Sequence, residues 1–301
     1  MDRLRVSPVD LMLVGAILLW ALNVTVTRYV LTHGFRPLAY ATTRYFAATA
    51  LFWGLTWQRE HTFRIHRSDV ALVALAAVLL FVNQLFFVTA LKLTTASTVG
   101  LVLGTTPVFV GVIALLAGIE RPTRAFWVAT AISFAGVGLI AAGSRGGLSS
   151  DLLGDVLAVG VAASWSAYSV AIAPLMRRYS PFRISALVLA LGWIPLALVS
   201  IPQLSAQSFS HFTSTMWVAF AFAVVGPLFL TNLLWFTALD RVGPSRASLF
   251  ANLQPFFAVL FALVLLSETL NPWEIAGGVA IAAGVVLERV WHKSAQVVVV
   301  E

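Results

Sequence analysis

"NLQPFFAVLFALVLLSETLNP", residues 252–272, is an apolar run with Pro255 near its start and Glu268 just before its end. It reads as a helix made for lipid, yet Pro255 removes one bond of the i→i−4 ladder, and the carbonyl so released needs another partner. The stretch has a twin. At a shift of 148, Pro255 falls on Pro107, Glu268 on Glu120 and Ser245 on Ser97, within "LGTTPVFVGVIALLAGIERP" and the residues just before it. Nine of the 31 positions from 90 to 120 are identical. Shared Leu and Ala come cheaply in two membrane helices, so the repeat rests on Pro and Glu at a common spacing of 13.

A second match stands at the head of each half. Asp10, Gly15 and Trp20 in "DLMLVGAILLW" recur as Asp155, Gly160 and Trp165 in "DVLAVGVAASW", and Pro37 recurs as Pro181. The chain therefore divides into two related halves, 1–145 and 146–301, together one unit.

Composition sets the solvent. Of 301 residues, 60% are apolar and 10% charged, with a mean hydropathy of +0.93, too little polar surface to coat a water-soluble globule. Cutting at charged or Pro/Gly-rich punctuation predicts ten spans: 9–31, 37–57, 69–91, 94–118, 124–142, 152–174, 181–200, 214–238, 244–267 and 272–291. Each is near the ~20 residues that cross ~30 Å of hydrocarbon. The expected class is an all-α polytopic membrane protein. Five spans per half is odd, so the second half enters the membrane from the opposite side, giving two inverted five-helix repeats. The first span ends in Thr27-Arg28-Tyr29 rather than a small-residue cleavage site, and so reads as a retained helix.

Fourteen Lys and Arg fall on one face, among them Arg59, Arg121, Arg178 and Arg246, and four on the other, Arg28, Arg36, Lys92 and Arg145. The basic face is cytoplasmic, which puts both termini inside and the chain in the inner (plasma) membrane. The net charge of +7 is loop charge of this kind and implies no nucleic-acid partner. With no cysteine there is neither a disulfide nor a thiolate site. No metal or cofactor is expected.

The ten-span arrangement in two halves, Trp20 and Trp165, the P-x6-R of Pro37 and Arg44, and the span-4 and span-9 prolines followed by Glu120 and Glu268 resemble the drug/metabolite transporter superfamily. The chain is most similar to EamA-type exporters, including bacterial exporters of amino acids, among them aromatic ones, and of paraquat. The resemblance implies export through a central cavity lined mainly by spans 1, 3, 4, 6, 8 and 9. Val188 stands where the second half would repeat Arg44.

On residue physics alone, Trp20, Asn23 and Thr27 share one face of span 1, and Trp165, Tyr168 and Ser169 one face of span 6. Asn83 and Gln84 in span 3 align with Thr231 and Asn232 in span 8, and Phe87 with Trp235. These amides either bond neighbouring helices or line a cavity, and their symmetric repetition favours the cavity. Pro107 and Pro255 bend their helices for packing, or act as hinges and release the carbonyls of Leu103 and Ala251 toward water or a substrate ammonium. Ser97 and Gly100 on one side, and Ser248 and Asn252 on the other, supply the polar and slender neighbours. Glu120 and Glu268 are either solvated interface charges or parts of a gate.

Every acidic residue and every histidine falls at a span end, in a loop or in a tail, which argues against a buried proton relay or an intramembrane protease. Arg44 is the one arginine well inside a span, about seven residues from its end, and is expected to snorkel outward, leaving a cavity without fixed charge. The expected function is export of amino acids and similar small metabolites by alternating access, with a monomer as the working unit in the bilayer. The alternatives are an exporter of lipophilic cations or drugs, and a non-transporting membrane receptor or scaffold.

Overall fold

A computed structural model describes residues 8–116, 124–143, 150–235, 237–238 and 253–297, and all regular structure among them is helical. The long elements are α1 (Pro8–Thr32), α2 (Pro37–Glu60), α3 (Val70–Leu93), α4 (Ala96–Leu103), α5 (Thr106–Leu116), α6 (Arg124–Gly143), α7 (Ser150–Met176) and α8 (Pro181–Ser205). They are followed by α9 (Ser214–Ala223), which runs through a π-helical turn (Val224–Leu230) into residues 231–235, then α10 (Gln254–Leu265) and α11 (Pro272–Val297).

The helix starts follow local chemistry. Pro37, Pro181 and Pro272 each open a helix, where a missing N–H costs nothing. Thr95, Ser180 and Thr213 cap α4, α8 and α9 through their side-chain oxygens. Asn271 and Glu274 form a reciprocal box at the head of α11: the Glu274 N–H donates to Asn271 Oδ1 at 2.9 Å and the Asn271 N–H to Glu274 Oε2 at 2.8 Å.

Among the described residues, five segments are long and apolar enough to cross a membrane: Pro8–Thr32, Arg67–Leu93, Leu152–Met176, Pro181–Ser205 and Ser214–Trp235. Shorter apolar helices cover Trp127–Ile140 and Gln254–Leu265. Two differences from the ten expected spans have evident causes. The Thr residues and Arg44 of α2 lower its hydropathy, and the fourth span is split at Gly104–Thr105 into α4 and α5. On α8, Leu191, Ile194, Leu198 and Ile201 lie exposed at spacings of three and four, an apolar stripe suited to lipid.

Several helix pairs recur when the halves are exchanged. α1 packs on α10 as α7 packs on α4 and α5, and α3 packs on α7 as the α9 segment packs on α1. The pairs α2–α8, α4–α10 and α6–α11 map onto themselves. The α6–α11 pair is the tightest: a Cβ on Gly136 would stand 2.6 Å from the Gly277 carbonyl oxygen, and one on Gly277 would stand 2.5 Å from that of Gly136. Only glycine allows two backbones to meet this closely.

Candidate functional site

Where the two halves meet, their related tryptophans touch. Trp20 of α1 stands edge-on to Trp165 of α7 at 6.1 Å between ring centroids, and Trp235 of the α9 segment lies 5.2 Å from Trp20. Tyr168, one turn beyond Trp165, adds a fourth ring at 5.3 Å. All four are partly exposed within the bundle rather than sealed in its core. Such edge-on and tilted ring contacts contribute about 0.5–1.5 kcal/mol each and leave ring faces available to a cation or an apolar group.

A polar chain runs one turn away from these rings and centres on Arg44, whose placement corrects the expectation of snorkelling. Pro37 to Arg44 spans about 10 Å of helix axis at 1.5 Å per residue, and Arg44 is only 1% exposed. Its Nη1 donates to Asn23 Oδ1 at 3.0 Å and to the Tyr40 hydroxyl at 3.4 Å, and its Nη2 donates to Gln84 Oε1 at 2.7 Å. The guanidinium also lies 5.0 Å from the Tyr40 ring centre, 5.6 Å from that of Tyr45 and 5.9 Å from that of Phe87. Acceptors from α1, α2 and α3 are therefore closer to hand than the membrane surface, which is why the side chain turns inward.

From Gln84 the chain continues through its amide nitrogen to Asn83 Oδ1 at 3.2 Å. Asn83 in turn donates to the Val161 carbonyl at 3.0 Å and to Ser164 Oγ at 3.2 Å on α7. Thr27 extends it the other way, to Asn23 at 3.4 Å and Tyr40 at 3.1 Å. The amides of Asn23, Asn83 and Gln84 thus bond neighbouring helices. In the second half, Asn232 donates to the Leu228 carbonyl of its own helix at 2.8 Å. The π turn there contains Pro227, a third helix irregularity that the sequence reading passed over.

The break between α4 and α5 meets the start of α10. Pro107 lies in the first turn of α5 and Pro255 in that of α10, and a Cβ on Gly104 would stand 3.3 Å from Pro255 Cγ. The Leu103 carbonyl has a partner within the protein, the Thr106 hydroxyl at 2.6 Å. Gly100 sits against Ala258 of α10, where a Cβ would approach to 2.8 Å. Ser97 is bound to Glu268, whose carboxylate accepts from the Ala96 N–H at 3.0 Å, the Ser97 N–H at 2.9 Å and the Ser97 hydroxyl at 2.6 Å. Glu268 is thus a clasp on the first turn of α4 supplied by the other half, favoured by the positive end of that helix. Glu120, Ser248, Asn252 and the Ala251 carbonyl lie outside the described residues.

Two further carboxylates secure the same end: Asp155 accepts from Thr94 at 2.7 Å and Glu274 from Thr98 at 2.9 Å. The opposite end is held by ion pairs. Arg183 reaches Glu60 at 2.6 Å, with Ser180 also bonded to Glu60, and Arg178 reaches Asp69 at 2.7 Å, with the Tyr179 hydroxyl donating to Asp69 as well.

Comparison with known proteins gives this arrangement a family. The pattern of the EamA-like transporter family matches the chain twice, over residues 7–142 and again over 152–288. The chain belongs to the EamA-like transporter family. Among its relatives are an uncharacterized transporter of Archaeoglobus fulgidus, 28% identical over 72% of this chain and 74% of the relative, and the uncharacterized transporter YdeK of Bacillus subtilis, 26% identical over 86% and 89%. A crystal structure described only as that of a protein shares the fold, with a TM-score of 0.63 over 95% of this chain and 98% of the other at 20% identity. This EamA protein is accordingly a multi-pass membrane transporter, of a family within the drug/metabolite transporters, with a bilayer and a small solute as its partners.

Proposed function

We propose that this EamA transporter exports amino acids and related small metabolites from the cytoplasm across the inner membrane. In this reading ten passes form two inverted halves, residues 1–145 and 146–301, with both termini inside. The solute binds between the halves, against Trp20, Trp165, Tyr168, Trp235 and Phe87 and the amides of Asn23, Asn83 and Asn232. α4–α5 and α10, broken at Pro107 and Pro255, bend as access passes from one face to the other, and the Glu268 clasp holds the outer side shut. The meeting of the related Trp20 and Trp165 where the halves join carries the proposal, because a site on the axis between repeats is the one both halves cover in turn.

Export of lipophilic cations or drugs draws support from the same rings, which can hold a cation. Counterflow in liposomes separates the two readings. Vesicles holding the protein and preloaded with an unlabelled neutral amino acid are expected to accumulate the labelled one transiently, and to do so far better than they accumulate a tetraalkylammonium or bipyridinium ion. Cation accumulation without amino acid accumulation would replace the first reading by the second.

A further inference from the structure

Among the described residues, nothing neutralises the buried positive charge of Arg44. Its hydrogen-bond acceptors, Asn23, Tyr40 and Gln84, are all uncharged, and among the described residues no carboxylate lies within 4.0 Å of it. Ion pairs among the described residues include those of Arg178 and Arg183 at the helix ends. Its Nε–H has no acceptor among the described residues although the atom is wholly buried. Removing a cation from water costs several kcal/mol, and three neutral acceptors with three aromatic rings offset only part of that. Among the described residues Arg44 is also the one Arg or Lys that is buried.

We infer that Arg44 anchors a carboxylate on the transported solute, a role that rests on the space beside it being the transport path. The free Nε–H offers an anion a charge-assisted bond. Asn23, already joined to the guanidinium, is one turn from Trp20, while Phe87 is one turn from Asn83 and Gln84. A solute whose carboxylate meets Arg44 therefore directs its remaining atoms toward Trp20, Trp165 and Trp235. One isolated guanidinium balances one negative charge, which suits a carboxylate and leaves a phosphate dianion under-neutralised. Arg44 would thereby select against cations that lack a carboxylate, even though the rings alone would admit them.

Binding to the purified full-length protein tests this, read by thermal stabilisation and tryptophan fluorescence with four probes: phenylacetate, phenylalanine, phenylalaninamide and phenyl phosphate. Phenylacetate and phenylalanine are expected to bind wild type at least tenfold more tightly than phenylalaninamide and more tightly than phenyl phosphate. Arg44→Gln should weaken both carboxylates at least tenfold while leaving phenylalaninamide unchanged, and Arg44→Lys should restore part of the loss. Should Arg44→Gln not fold, the carboxylate-over-amide preference of wild type and its reduction in Arg44→Lys still decide. Equal binding of phenylalanine and its amide, an unchanged preference in the variants, or tighter phenyl phosphate binding would overturn the carboxylate role. Arg44-dependent binding of phenylacetate without any binding of phenylalanine would uphold that role and sink the amino acid reading instead.

Discussion

The surroundings of Arg44 and the matching place in the second half share a backbone and almost nothing else. Where the first half has Tyr40 and Arg44 on α2, the second has Ile184 and Val188 on α8, all four buried. Where Asn23 accepts from Arg44, the second half places Tyr168 against Trp165. Gln84 reaches across to Arg44, whereas its counterpart Asn232 bonds its own helix. The pairs α2–α8, α4–α10 and α6–α11 survive exchange of the halves and the polar chain does not. Repetition builds the frame, and departures from repetition build the site.

Substitutions in the frame should hurt equally in both halves. Gly136→Leu and Gly277→Leu would each drive a side chain into the facing backbone, costing about 3 kcal/mol or more. Both should lose most folded protein on size-exclusion chromatography, and a large difference between them would break the equivalence. Substitutions in the site should be unequal. Arg44→Gln removes charged hydrogen bonds of about 1.5–3 kcal/mol each, so carboxylate flux per folded molecule should fall at least tenfold. Val188→Ala, at the matching position, should change flux less than twofold.

The two ends of the bundle should differ as well. Glu268→Gln leaves the Ala96 and Ser97 donors to share one carbonyl oxygen, and unfolding should become easier by about 1–2 kcal/mol. Arg183→Gln at the other end removes a partly exposed pair, with side chains 20% and 17% accessible, and should cost about 1 kcal/mol or less. Thermal unfolding of the two variants side by side orders them. On the axis, Trp20→Phe and Trp165→Phe keep a ring in place, so both should alter flux only a few-fold and to similar degrees.

Much of the frame was legible in the sequence because it is written twice. The prolines and glutamates at a common spacing and the two D-x4-G-x4-W heads exposed the repeat, and the family pattern matches both halves. The all-helical class followed from composition. Arg44 was misread for a physical reason. Its distance from the helix end is a one-dimensional quantity, whereas its three acceptors come from three helices. One clue was local, the i, i+4 spacing of Tyr40 and Arg44, which puts hydroxyl and guanidinium on one face. The Leu103 carbonyl, which the sequence leaves to packing or offers to water or a substrate ammonium, is taken by the hydroxyl of Thr106. Nothing in the neighbourhood of Glu268 along the chain points to Ala96 and Ser97, which lie more than 170 residues away.

In the proposed transport cycle the region among Trp20, Trp165 and Trp235 opens to each face of the membrane in turn. The chain has no cysteine, so a single Tyr168→Cys substitution places one thiol there without further change. A membrane-impermeant maleimide should label this thiol from outside in right-side-out vesicles and from the cytoplasmic face in inverted ones, with substrate slowing both. Labelling from one face only, or from neither, while the folded protein still carries flux would contradict a transport path through this site.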